Sequence, residues 1–364
     1  MTIRPATESA STAESPRSPS SRSPSPRSPY SPALQVAVII NAHAGGGHAD
    51  ELAQRVADGF RQHQVEAHVT LAADGAALID AARVALEDGA DIIVAGGGDG
   101  SVNAVASVVS GSKAAFGVLP LGTLNHFAKD LNIPLALDDA IRNVVEGRRL
   151  AIDTGEVNGV LFINNSSLGL YPDIVRDREK QQTRLGRGKW LAFCWAAMGA
   201  LRRYPFLDVR LDVLMGTKDG DNAESHHRRT PFVFIGNNEY LMDGLNIGKR
   251  NSLSEGKLSL YVCHRTGRLG LVRLALHALF GRLRQARDFD MLSAAEIEID
   301  TRHRHRHGQH RVKRLRVATD GEVTIMQTPL VYRIRPASLT VIVPTVPDTD
   351  PDPEETRTFT EQKA

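Results

Sequence analysis

The pattern of apolar and polar positions divides the middle of the chain into two regions with different periods. In the first region, short apolar or β-branched runs alternate with longer segments of helical spacing. The runs occupy residues 35–40, 65–71, 91–95 and 115–119, and the helical segments occupy residues 48–63, 74–87 and 137–147. Strands that alternate with helices are typical of a parallel, doubly wound sheet, in which ligands bind beyond the carboxyl ends of the strands.

From residue 150 onward, apolar positions alternate with polar ones, which is the period of a half-buried strand. The Asn-Gly pair at residues 158–159 is the strongest short signal for a hairpin. A predicted helical excursion at residues 166–203 interrupts an otherwise antiparallel β region. Its predicted strands occupy residues 150–157, 160–165, 207–214, 232–237, 257–264, 295–299, 311–318, 323–327, 330–335 and 339–343.

Composition indicates a globular chain without a strong overall charge. Hydrophobic residues make up 41% and charged residues 24%, and the net charge of +2 argues against nucleic acid as a partner. Cys194 and Cys263 show neither metal-ligand nor disulfide spacing, which favours a reducing cytoplasm. No signal peptide is recognisable, and the apolar run at residues 190–201 is shorter than the roughly 20 residues of a membrane span. We therefore expect a soluble or peripheral protein.

A glycine-rich segment directly follows the apolar run at residues 91–95. Residues without a Cβ atom let the backbone take positive φ and point N–H groups at phosphate oxygens, and this segment contains Gly96, Gly97, Gly98 and Gly100. A helix that begins near Ser101 would add donors and its dipole. Asp99 would repel a phosphate unless a cation such as Mg²⁺ lies between them. The alternative is an ordinary strand-to-helix turn in which Asp99 is the N-cap.

Two further loops follow predicted strands and are expected at the same edge of the sheet. They offer glycines and short polar side chains, namely Asn41, Gly45 and Gly46 in the first loop, and Gly122, Thr123 and Asn125 in the second. Gly122 would let the backbone turn, while Thr123 and Asn125 could contact phosphate or ribose. The alternative for Thr123 and Asn125 is that they cap the following helix.

Four motifs in this order resemble the diacylglycerol kinase catalytic-domain family, whose bacterial lipid kinases are related to sphingosine kinases and, more distantly, to NAD kinases. The motifs are the loop at residues 41–47, Gly-Gly-Asp-Gly-Ser at 97–101, Leu-Pro-Leu-Gly-Thr-Leu-Asn at 119–125 and Asp-Gly-Glu at 320–322. The resemblance covers about residues 34–343. It implies an α/β fold, with an N-terminal doubly wound parallel-sheet nucleotide domain and a mostly antiparallel β domain with helical excursions.

The resemblance also implies a reaction, in which a lipid kinase transfers the γ-phosphate of ATP to a lipid hydroxyl such as that of diacylglycerol. Its cofactors would be ATP and Mg²⁺, with Asp99 on the nucleotide and magnesium side of the site. Asp320 would be the general base, because a carboxylate on a tight turn can orient the hydroxyl and accept its proton. Asp320-Gly321 is equally an ordinary hairpin turn. Glu322 would contact metal or ribose, or be a solvated strand residue.

Two other functions stay open, an NAD-kinase-like small-molecule kinase and a protein that binds nucleotide or lipid without turnover. Three departures from the family bear on this choice. Ala42 replaces a usual proline, and Ser101 replaces a usual threonine. Residues 254–259 keep only Glu255 from the acidic pattern that binds a structural magnesium in many bacterial members, so we expect that metal site to be degraded.

The domain order follows from these motifs and from the low-complexity ends, which are predicted to be disordered. We expect a Ser/Pro/Arg-rich tail at residues 1–33, a nucleotide-binding α/β domain at 34–150, a β-rich lipid-substrate domain at 151–329, C-terminal strands returning to the first domain at 330–344, and a second tail at 345–364.

Two basic features bear on location and partners. Residues 269–283 form an amphipathic helical pattern with cations on a second face, and residues 302–310 alternate Arg and His. Each could contact an anionic membrane surface or be solvated. The expected partners are a lipid substrate and the inner membrane surface, contacted peripherally from the cytoplasm, with no nucleic acid. A homodimer stays open.

Overall fold

The computed structural model describes residues 34–44, 48–169, 207–217, 220–240, 250, 252–263, 289–300 and 314–345. The first region folds as the alternation of strands and helices predicts. Its helices are α1 (Ala49–Gln62), α2 (Gly75–Glu87), α3 (Asp99–Val109), α4 (His126–Asp130) and α5 (Leu137–Glu146). Its strands β1 (Val36–Asn41), β2 (Ala67–Ala72), β3 (Ile92–Gly97) and β4 (Ala115–Pro120) pair in parallel in the order β2-β1-β3-β4.

Helices cover both faces of this parallel sheet. On one face, Ile93 and Phe116 pack with apolar residues of α2 and α3, and on the other face Val94 and Leu119 pack with α1 and α5. The strands β1, β3 and β4 are therefore buried on both sides, which explains why each reads as a continuous apolar run rather than as an alternation.

From residue 148 onward, the described residues form strands that pair antiparallel with one another. These strands are β5 (Arg148–Val157), β6 (Val160–Phe162), β7 (Asn165–Gly169), β8 (Leu207–Thr217), β9 (Gly220–Thr230), β10 (Phe232–Asn237), β11 (Leu258–Cys263), β12 (Phe289–Ala294), β13 (Glu296–Asp300), β14 (Arg314–Thr319), β15 (Glu322–Gln327) and β16 (Leu330–Val343). The predicted fold class is confirmed. A cluster that includes Val209, Ile235, Leu260 and Ile297 packs between two sheets.

One long strand joins the parallel and antiparallel parts. Strand β16 pairs in parallel with β4 through Val341 and Phe116, and antiparallel with β5 and β13. The resulting ten-stranded sheet faces a six-stranded sheet of order β12-β11-β10-β7-β14-β15. Because β7 and β14 are neighbours, the turn before β7 lies beside the turn that follows β14.

Three local predictions were wrong. Residues 166–169 belong to strand β7 instead of beginning a helix, because Leu168 packs in the core between the sheets. Strands β9 and β12 were not predicted, since pairing with β8 and β11 overrides their polar or irregular sequences. Helix α3 begins at Asp99, two residues before the expected start.

Several predicted features lie outside the described residues. They are the tails, most of the excursion at 166–203, the amphipathic segment at 269–283, the Arg and His run at 302–310, and Cys194. Within the described helices, none is long and apolar enough to cross a membrane.

Candidate active site

A cleft of about 980 Å³ lies beyond the carboxyl ends of β1, β3 and β4. Parallel strands end at one edge of a sheet, so the loops that follow them converge there. The cleft is lined by several residues that the sequence pattern selects, namely Asn41, Gly98, Gly100, Ser101, Gly122, Thr123 and Glu322. Gly45 and Gly46 lie outside the described residues.

The glycines are required by close packing and not by an unusual backbone conformation. Gly98 has φ −86°, and neither Gly96 nor Gly97 has positive φ, so the expected left-handed conformation was wrong. A Cβ atom on Gly97 would lie 2.5 Å from the Cβ of Ser101, and one on Gly122 would lie 2.4 Å from the Cα of Gly98. The loops after β3 and β4 therefore touch backbone to backbone, which leaves no room for a side chain.

The N-terminus of α3 lies at this cleft, because Gly98, Gly100 and Ser101 line it. Gly98 is the N-cap residue and makes no side-chain capping bond, so Asp99 is the first helical residue and not the N-cap. Asn41 Nδ2 donates to Ser101 Oγ at 2.9 Å, and Asn41 Oδ1 accepts from the N–H of His43 at 2.9 Å. Asn41 thus fixes the end of β1 against the start of α3. The unpaired N–H groups and dipole of an 11-residue helix suit an anion.

Asn125 organises the loop after β4. Its Nδ2 donates to the carbonyl oxygens of Pro120 and Gly122 at 3.1 and 2.9 Å, and its Oδ1 accepts from the N–H of Gly122 at 3.0 Å. Its backbone is left-handed, with φ 50°. The carboxamide therefore holds the loop that carries Thr123, whereas Thr123 itself lines the cleft.

Asp99 is the first residue of α3 but is not among the residues that line the cleft. Its Oδ1 accepts from the N–H of Phe127 at 3.3 Å, which leaves its other carboxylate oxygen available. Mg²⁺ is commonly held by one or two carboxylates together with substrate phosphates. Of the described residues that line the cleft, none is Lys or Arg.

The acidic turn at residues 254–257 does not fit a second metal. Glu255 Oε2 lies 2.8 Å from the Nζ of Lys257, and Glu239 Oε2 lies 3.4 Å from the same nitrogen. The hydrogen bond to Glu255 is the main cause that raises the pKa of Lys257. Gly256 donates its N–H to Asp153 Oδ2 at 2.7 Å, so the turn is held by the protein itself. No group of three or more potential metal ligands occurs among the described residues.

The turn between β14 and β15 is a two-residue hairpin turn at Asp320 and Gly321, with φ values of 47° and 90°. The Asp320 carboxylate is tied to the turn before β7. Its Oδ2 accepts from the N–H of Ile163 at 2.8 Å, and its Oδ1 accepts from those of Asn164 and Asn165 at 2.9 Å each. In the described part of the chain Oδ2 accepts only this one bond, so it can accept another from a substrate hydroxyl.

Desolvation raises the pKa of Asp320 to about 6, although the three backbone N–H bonds and the charge of Arg250 act in the opposite direction. A base with a pKa near working pH is mostly ionised there, yet still basic enough to accept a proton. Glu322, two residues further on, reaches the start of α3, where a Cβ on Gly100 would lie 3.2 Å from Glu322 Oε1. The hairpin therefore brings Glu322 to the glycine loops, whereas Asp320 is not among the residues that line the cleft.

Sequence reasoning missed the apolar end of the cleft. It is formed by Leu78 and Ile79 of α2 and by Val160 and Leu161 of β6. Their spacing is that of ordinary core positions, so no sequence signal distinguishes them. An apolar wall beside a phosphate-binding loop suits a planar base.

Comparison with known proteins identifies the family. Residues 35–157 match the diacylglycerol kinase catalytic domain, and residues 172–343 match the YegS C-terminal NAD kinase beta sandwich-like domain. Over 222 residues the chain is 30% identical to a probable lipid kinase YegS-like protein of Citrobacter koseri, covering 58% of this chain and 68% of that protein. The chain belongs to the diacylglycerol kinase catalytic-domain family of lipid kinases.

Other proteins share a shorter sequence match with this chain or share its fold alone. A probable lipid kinase YegS-like protein of Yersinia pestis is 43% identical over 81 residues, which cover 21% of this chain and 27% of that protein. The crystal structure of a putative diacylglycerol kinase from Bacillus anthracis superposes with a TM-score of 0.65 at 20% identity, covering 87% of this chain and 98% of that one. A second diacylglycerol kinase from the same organism gives 0.60 at 16% identity, with coverage of 86% and 98%.

Proposed function

We propose that this lipid kinase transfers the γ-phosphate of ATP to a hydroxyl of diacylglycerol or a related lipid. The observation that carries the proposal is that the hairpin with Asp320 at its turn approaches the glycine loops through Glu322. A Cβ atom placed on Gly100 would lie 3.2 Å from Glu322 Oε1. Phosphoryl transfer needs a phosphate site and a proton acceptor close together, and the proposed base Asp320 lies two residues before Glu322 on the same hairpin.

In this mechanism the nucleotide base lies against the apolar end of the cleft and the phosphates meet the N-terminus of α3. Mg²⁺ held at Asp99 would offset the negative charge of the phosphates. Asp320 Oδ2 accepts the proton of the lipid hydroxyl while the hydroxyl oxygen forms a bond to the γ-phosphorus. The bond between that phosphorus and the β,γ-bridging oxygen breaks, and ADP leaves with that oxygen.

The outer face of the six-stranded sheet favours a lipid acceptor. Strand register places Ala318, Ser167, Phe234, Tyr261 and Met291 in one row across β14, β7, β10, β11 and β12. Phe234 makes ring contacts with Tyr261, at a centroid distance of 5.8 Å. Because side chains two residues apart share a face, this row, which is apolar except for Ser167, leads to the turn after Ala318 that carries the proposed base. Ser167 and Tyr261 are fully buried, so an acyl chain on this face would have to contact the partly buried Phe234 and Met291.

The test is a transfer assay with the full chain, radiolabelled ATP, Mg²⁺ and vesicles that contain diacylglycerol, with NAD as a parallel acceptor. We expect labelled lipid from the wild type and none from Asp320→Asn. Asp88→Asn is the control and should retain activity, because Asp88 is also followed by a glycine but is exposed at the end of α2. Labelled NADP instead of lipid would favour an NAD-kinase-like enzyme. Nucleotide binding without any product would favour a non-catalytic protein.

We also propose peripheral contact with the membrane surface, because diacylglycerol is confined to bilayers. The same vesicles report this contact when the chain is sedimented with them, with and without anionic lipid. A chain that phosphorylates vesicle lipid without co-sedimenting at any composition would contradict stable attachment.

A further inference from the structure

Arg250 is a buried cation whose hydrogen-bonding capacity is fully used. Its side chain is 0% exposed, and a guanidinium group carries five N–H donors. Nε and Nη2 donate to Asp130 Oδ2 at 2.9 and 2.8 Å, and Nη2 also donates to Asn164 Oδ1 at 2.8 Å. Nη1 donates to the carbonyl oxygens of Ile163 and Asn237 at 2.8 and 3.3 Å. Each donor therefore has an acceptor.

These partners belong to the two parts of the candidate site. Asp130 is the last residue of α4, and the N–H of Phe127 in the same helix donates to Asp99 Oδ1. Ile163 and Asn164 belong to the turn before β7, whose N–H groups hold the Asp320 carboxylate. Arg250 is thus the link between the helix that contacts the nucleotide-side acid and the turn that holds the proposed base.

We propose that Arg250 is a positioning residue for phosphoryl transfer, and that it fixes α4 and the turn at residues 163–165 at one distance from each other. The proposal rests on the proposed function, because it concerns the distance between the nucleotide side and the base. The Asp320 carboxylate itself is held by backbone groups, so Arg250 acts through the turn and not by touching substrate.

Stability alone does not account for a buried ion pair at this place. Removing a guanidinium and a carboxylate from water is costly, and apolar residues of similar volume often give an equal or more stable protein. What an apolar pair lacks is the planar guanidinium fork, which bonds a carboxylate at two nitrogens and still reaches other acceptors. A lysine ammonium has three donors around one nitrogen and cannot reach both parts of the site together.

The test compares Arg250→Lys with Arg333→Lys. Arg333 is a matched control because it also bonds a carboxylate through two nitrogens, to Glu296 at 2.7 and 3.3 Å, yet its side chain is 56% exposed and outside the site. Turnover is measured per nucleotide-binding site, titrated with a fluorescent ATP analogue, so that unfolded protein does not count. This normalisation separates positioning from folding, since a purely structural residue changes the number of sites and not the turnover of each.

In Arg250→Lys we expect kcat per site to fall by about tenfold to a hundredfold while the KM for ATP stays within about twofold, because misplacement of reacting groups acts on the chemical step. Arg333→Lys should match the wild type. Unchanged kcat per site in Arg250→Lys overturns the proposal. If that variant does not fold, Asp130→Asn decides in the same assay, since it leaves the guanidinium bonds to Ile163, Asn164 and Asn237 in place. A wild type that transfers no phosphate to lipid would instead refute the proposed function.

Discussion

Acidification is expected to stop phosphoryl transfer through Asp320, because a general base works only when it is deprotonated. With a pKa of about 6, roughly ten in eleven Asp320 carboxylates are ionised at pH 7, and only about one in eleven at pH 5. At saturating ATP and lipid, kcat should therefore fall about tenfold between these pH values. A bound anionic nucleotide would raise this pKa further. The acid limb of the profile of kcat against pH should therefore lie at or above pH 6.

The charged neighbours of Asp320 set the direction of a second shift. Arg250 lowers the pKa of Asp320, while Tyr240 lies close enough to Asp320, Arg250 and Asp130 to interact with all three. Removing the positive charge in Arg250→Gln should move the acid limb to higher pH, whereas Arg250→Lys should leave it nearly in place. An identical limb in Arg250→Gln and wild type would contradict this electrostatic account.

The same carboxylate should make stability depend on pH. Its pKa rises from 3.8 to about 6 on folding, so its contribution to the free energy of unfolding is present below pH 3.8 and is lost as the pH rises through 6. The loss amounts to about 3 kcal/mol over this window. Urea unfolding at several pH values should show this slope in the wild type and not in Asp320→Asn. Equal slopes in both proteins would contradict this pH dependence of stability. A kcat that stays constant between pH 7 and pH 5 would refute the role of Asp320 as the general base.

Two further changes test the glycine contact and the metal. In Gly122→Ala the new methyl group would lie 2.4 Å from the Cα of Gly98, so we expect about 1–3 kcal/mol of destabilisation and weaker binding of an ATP analogue. Thermal melting and ligand titration measure these effects. The control is Gly75→Ala, because Gly75 lines the same cleft but has open space around it. A chelator should abolish transfer, because Mg²⁺ offsets the charge of the phosphates in the proposed mechanism. It should leave the melting temperature unchanged, because Lys257 already pairs with the acidic turn, so a drop in melting temperature would show a structural metal.

The sequence predicted the fold class and the hairpin turns at Asn158-Gly159 and Asp320-Gly321, since Asn-Gly and Asp-Gly pairs readily take the positive φ that such turns require. It also selected the glycine loops, but for the wrong physical reason. Close approach of Gly98 and Gly122 joins residues from different loops, and no local pattern reveals which backbones will touch. Strand β7 was missed because its polar residues, such as Ser166, are buried by neighbouring strands and do not alternate with solvent-facing ones.

Arg250 could not be recognised from the sequence. A single arginine without a periodic partner reads as a surface residue, and its acceptors are distant in the chain, with Asp130 120 residues away and Asn164 86 residues away. Only the fold brings these acceptors together. In the same way, Leu78 and Ile79 read as core residues of α2, and only the position of β6 makes them the wall of a cleft.

Strand β16 has a consequence for the order in which the protein can fold. Its side chains Leu339, Val341 and Val343 belong to the same core cluster as Ile93 and Phe116, although they are synthesised more than 200 residues later. Until β16 emerges, strand β4 ends the parallel sheet with an open edge, and a nascent or truncated chain with such an edge is prone to pair with another chain. A fragment of residues 34–150 is therefore expected to associate with itself, and a peptide of β16 added in trans should suppress that association.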